Sequence, residues 1–170
     1  MYLIGDKKKF AIEFEVINMI SSWGKVLLYF DGKKVGHYEE ETNLKSIAYN
    51  LCSIEKRLKK NYKEFINEDY SWIFNVILEE PTDKYDSTLV SLGESFDDFE
   101  IRCIVNDEVL TFMWRLVANP FHEYKDYDCC KIFSLDILFS VFDSICREFS
   151  ERIKEKMVES GVPPQEPDDQ

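Results

Sequence analysis

The chain has 170 residues, 45% hydrophobic and 15% aromatic, with 21 basic and 33 acidic side chains that leave a net charge of −12. That length and apolar content suit one domain whose core needs no disulfide or metal staple, and they exclude global disorder. The charge disfavours nucleic acid and anionic membrane as partners, because both attract clustered Lys and Arg, and it favours a basic partner.

Residues 9–20, KFAIEFEVINMI, alternate: Phe10, Ile12, Phe14 and Val16 share one face, with Glu13 and Glu15 on the other. A period of two predicts a half-buried strand. Residues 21–24 read as a turn, 25–30 as a second strand, and the Asp31-Gly32 pair as a hairpin leading into a short third strand over 33–38. Thr42 or Asn43 can cap a helix in which Leu44, Ile47, Ala48, Leu51, Ile54 and Leu58 recur at helical spacing. Lys56, Arg57, Lys59 and Lys60 lie at its end, where the helix dipole favours cations. Asn67 and the acidic pair after it predict a second helix start, over the apolar run that reaches Glu80.

Residues 81–98 are polar and turn-rich and read as a long surface connection, a kind of segment that often carries function. Two strands follow, FEIRCIV and VLTFMWRLV, joined at Asn106 and Asp107; Asn119-Pro120 ends the second, and 121–133 reads as irregular. Ser134 is positioned to cap a final helix with an apolar stripe of Leu135, Leu138, Phe139, Phe142, Ile145, Cys146, Phe149 and Ile153. Gly161 and Pro163-Pro164 stop it. The expected fold is α+β: an antiparallel sheet of about five hairpin-connected strands packed by two long amphipathic helices, in the order β-β-β-α-(α)-β-β-α. A single domain spans 1–160, and the Pro-rich acidic tail 161–170 is expected to be disordered.

Cys52, Cys103, Cys129, Cys130 and Cys146 form neither a disulfide framework nor a zinc pattern, and only His37 and His122 could add to one. Reduced thiols, the lack of a secretory h-region, and no run near the ~18 apolar residues of a membrane span point to the cytoplasm. Phosphate-cradling glycine motifs and a GxSxG elbow are missing, and His122-Glu123 lacks the second histidine of HExxH. The expectation is a protein that is not an enzyme and holds no cofactor or metal. His122 and Glu123 are the best site for the competing idea of a small hydrolase.

Charge is unevenly spread. Residues 67–130 carry 15 acidic and 4 basic side chains, a net −11, against +3 for residues 1–66. One reading is a solvated surface; the sharper one is a docking face for a basic protein, in which complementary charge speeds association. Asp83, Asp86, Glu94, Asp97 and Asp98 are the contact candidates, interleaved with aromatics such as Trp72, Tyr85, Phe96 and Phe99 that could anchor an interface.

The opening GDKKKFAIEFEVI, then Trp23, LLYFDGKKV and a helix entered through TNL resemble the immunity protein 42 family of bacterial polymorphic toxin systems. Gly5, Asp6, Phe10, Ala11, Ile12 and Phe14 carry most of the resemblance, and the closing SLDILFSVFDSI fits it. It implies an antitoxin that neutralises a cognate toxin C-terminal domain in the cytoplasm through a 1:1 complex, as in contact-dependent growth inhibition. Nuclease toxins are basic where they bind phosphate, so a carboxylate-rich inhibitor suits one. The alternative is an acidic adaptor or nucleic-acid mimic that binds basic partners.

Overall fold

The computed structural model describes residues 1–58, 65, 68–80 and 83–159. Lys59, Lys60, Asn67 and the tail 161–170 lie outside the described residues.

The first half builds one antiparallel sheet. Strands β1 (Tyr2–Gly5), β2 (Phe10–Asn18), β3 (Trp23–Phe30) and β4 (Lys33–Val35) pair in that order, and the two-residue β5 (Thr42–Asn43) also joins β3. The alternation in β2 does what its period demands. Phe10, Ile12 and Phe14 lie opposite Phe30, Leu28 and Val26 in the register, and all six are buried on the inner face. The outer face carries Glu13, whose carboxylate meets the Lys7 ammonium and the Tyr29 hydroxyl. Asp31 and Gly32 both take positive φ, as a two-residue hairpin requires.

The helical stretch after β5 is two helices, not one. The Asn43 side chain accepts from the Ser46 N–H and starts α1 (Leu44–Cys52). At Ser53 the hydroxyl turns back to the Asn50 carbonyl, and a single further turn, α2 (Ile54–Arg57), follows. Side-chain competition for a backbone acceptor explains the interruption. Helix α3 (Tyr70–Glu79) forms as expected, with Asp69 capping the N–H groups of Ser71 and Trp72.

Two expectations are corrected in the second half. The later strands do not extend the first sheet: β6 (Phe99–Asn106), β7 (Val109–Leu116) and β8 (Phe133–Leu138) make a second antiparallel sheet of their own. Ser134 therefore caps no helix; it pairs with Met113 in β8, and α4 starts at Phe139 and runs to Glu159. Residues 133–138 fit both periods, and the open edge of β7 offered six backbone partners that a free helix end would not. β1 and the two-residue β5 are the other strands added to the expected set.

The two sheets share one interior. Phe30 stacks on Phe112 at 5.0 Å and leans on Trp114 at 5.0 Å. Phe142 of α4 reaches Phe10 of the first sheet (5.1 Å) and Phe112 of the second (5.3 Å). Helices α1 and α4 lie against the first sheet, while α3 docks on the second, where Tyr70 donates to Asp136 at 2.6 Å and the Arg115 guanidinium lies over the Phe74 ring.

Candidate functional site

The 81–98 connection is not a free surface loop over its described part. Its 3-10 turns, Asp83–Thr88 and Glu94–Phe96, are tied down on both flanks. The Val90 N–H donates to the Ile101 carbonyl (3.0 Å), which adds an edge contact to β6. On the other side Asn50 Nδ2 donates to the Ser91 carbonyl and Arg57 Nη1 to the Leu89 carbonyl, both at 3.0 Å. Tyr85, Thr88, Val90, Leu92 and Phe96 point inward and are buried. Between them Asp86, Leu89, Ser91, Gly93 and Glu94 are exposed, while Ser95 is buried.

The five acidic candidates separate. Asp86 is exposed and shares a groove with Lys56 and Arg57 of α2, so basic neighbours offset part of its field. Glu94 and Asp97 are exposed at the far end of the segment. The Asp83 side chain lies outside the described residues. Asp98 is 3% exposed. Its carboxylate accepts from the Phe121 N–H (2.6 Å), the His122 N–H (3.1 Å) and the Tyr124 hydroxyl (3.0 Å). Burial, reinforced by that carboxylate, pushes the Tyr124 phenol well above its ordinary range, so it remains a donor.

Asp98 thereby folds the loop that follows β7. Phe121 stands at its tip with 84% of its surface exposed, the most exposed of the chain's large hydrophobic side chains among the described residues. Next to it His122 Nε2 lies 2.9 Å from Glu40 Oε1, and the His122 ring stacks on His37 with centroids 3.5 Å apart. The His37 N–H donates to the Ser95 carbonyl at 2.7 Å. Three stretches thus meet at one corner: the exit from β4, the 94–98 turn and the loop after β7. Sequence spacing gave no sign of this, because its members come from three separate parts of the chain. His122 Nε2 is engaged with the Glu40 carboxylate.

The immunity protein 42 family matches residues 1–152 of the sequence. The chain belongs to that family. The family resemblance rests on β1, β2 and the turn between them, where the Asp6 N–H bonds the Phe10 carbonyl (3.0 Å) and Phe10, Ile12 and Phe14 enter the core. Among solved structures, the chain is similar to CdiI from Burkholderia dolosa, at 16% identity and a TM-score of 0.63 over 89% of this chain and 99% of that one. At that identity the likeness shows the fold alone. No curated protein matches. Among the described residues no helix of this immunity protein 42 family member is long and apolar enough to cross a membrane.

Proposed function

We propose that this protein is a cytoplasmic antitoxin that binds one cognate toxin domain and blocks it by occlusion, without catalysis of its own. Membership of the immunity protein 42 family carries the reading. The surface supports it. Exposed carboxylates at Asp86, Glu94 and Asp97, with Asp83 beside them in sequence, offer a face to a basic protein. A phosphate-binding nuclease domain is basic in the required way. Phe121 supplies an aromatic anchor of the sort that dominates interfaces once water is excluded around it. Asp98 belongs to the same face as a positioning residue, since its carboxylate holds the backbone on which Phe121 stands.

The test is association with the purified toxin domain encoded beside this chain. Reversing Asp83, Asp86, Glu94 and Asp97 to Lys is expected to slow association at least tenfold at low salt and to flatten its salt dependence. Phe121→Ala is expected to speed dissociation by a factor on the order of 30, the equivalent of about 2 kcal/mol at a hot spot. Unchanged rates in both variants would move the contact surface elsewhere. Failure to form any complex, with equal binding to unrelated basic proteins, would favour the adaptor or nucleic-acid mimic instead.

A further inference from the structure

We propose that His37, Glu40 and His122 form a binding site for a divalent transition metal of the zinc class. The ligand atoms of these three side chains all lie within 4.8 Å of one another. Two imidazoles and one carboxylate are a donor set that zinc takes, leaving further positions for water. Calcium and magnesium prefer all-oxygen cages and are disfavoured here.

The arrangement has unused capacity. His37 Nδ1 and Glu40 Oε2 are both buried and find no hydrogen-bond partner among the described residues. Buried polar atoms of this kind are costly unless something meets them, and a cation at this point would meet both. The ligands are also held from behind. The His37 N–H is fixed to the Ser95 carbonyl and the His122 N–H to the Asp98 carboxylate. These bonds fix where each imidazole is attached and leave the side-chain torsions free to turn the rings.

The two imidazole planes are 7° apart. Parallel rings hold their nitrogen lone pairs in parallel planes about 3.5 Å apart, so a shared ion requires the rings to tilt toward each other. A cavity of about 260 Å³ opens beside His37 and gives that ring space to turn. Glu39, Glu123 and Asp126 line it, so a cation entering meets carboxylates, with Lys34 and Lys125 opposing them. Once bound, the ion joins the loop after β4 to the loop that carries Phe121, and so fastens the first sheet to the second.

The experiment uses the untagged full chain with Cys129→Ser and Cys130→Ser, because those exposed thiols, 3.2 Å apart, would bind zinc themselves. Zinc is titrated against a chromogenic chelator, and the imidazole nitrogen resonances are followed by NMR; the chain has only two histidines, so the spectrum is simple. The expected result is one equivalent bound, shifts in the nitrogens of both rings, and a raised melting temperature. Glu40→Gln and His122→Gln should each weaken binding by at least the ~10–100-fold that the loss of an outer-shell partner alone costs. Unmoved imidazole resonances at stoichiometric zinc overturn the proposal, and this reading needs no variant at the site to fold. Zinc held equally well by folded His37→Gln or His122→Gln protein overturns it too. Neither outcome depends on toxin binding.

Discussion

Asp97 and Asp98 are chemically identical neighbours, yet one carboxylate faces water and the other is buried beneath three donors. Nothing local distinguishes them, since the donors to Asp98 come from more than twenty residues downstream. For this reason the candidate face was legible in the sequence as a charge excess but not residue by residue. Asp98→Ala removes the acceptor of three part-buried donors at once, at up to about 1–3 kcal/mol each before relaxation. We expect a loss of about 3 kcal/mol or more in urea unfolding, with early proteolysis in the 119–131 loop. Glu13 gives a pH signature. Burial alone would raise its carboxyl pKa, but the hydrogen bonds from Lys7 and Tyr29 together outweigh burial and hold it below the ordinary carboxylate value. A depressed folded pKa means that the stabilisation is present above the unfolded pKa and is lost as pH falls through the folded one. Glu13→Gln is therefore expected to lower stability at neutral pH and to flatten the acid limb, as measured by melting temperature against pH.

At the scale of elements, the alternation of β2, the Asp31-Gly32 hairpin and the Asn43 cap were readable because each depends on a few adjacent residues. β1 escaped notice because four residues are too few to display a period. The expected helix start at Ser134 failed for a different reason. Phe133, Leu135 and Ile137 keep period two while Leu135, Leu138 and Phe142 keep helical spacing, and pairing with β7 decides between them. The 81–98 segment looked like surface because its buried Tyr85, Val90, Leu92 and Phe96 are set among polar and turn-forming residues that mask any sustained period. Its seat is tested at Gly36, which has φ of 104° and faces Phe96 so closely that an added Cβ would lie 2.7 Å from Cε1. Gly36→Ala combines left-handed strain with that clash and is expected to cost about 1–3 kcal/mol in a denaturation midpoint.

For the molecule as a whole, the decisive contacts join parts far apart in the chain. Phe142 touches an aromatic ring from each sheet, so removing it should loosen both at once. Phe142→Ala is expected to cost about 3–5 kcal/mol and to leave a single unfolding transition by circular dichroism and fluorescence alike. Two separate transitions would mean that the sheets are independent units. The same architecture bears on time. β2 meets the last part of its cover in α4, through Phe10 on Phe142 and Phe14 on Phe149. When a ribosome finishes β3, about 130 residues remain before the end of α4, on the order of ten seconds of synthesis at usual rates. During that interval the apolar face of the first sheet gains α1 and then the second sheet, but it still lacks the α4 rings that complete its cover. Under the antitoxin function proposed above, completed copies alone protect the cell, so the stock already folded, and not the current rate of translation, sets how quickly an incoming toxin can be met.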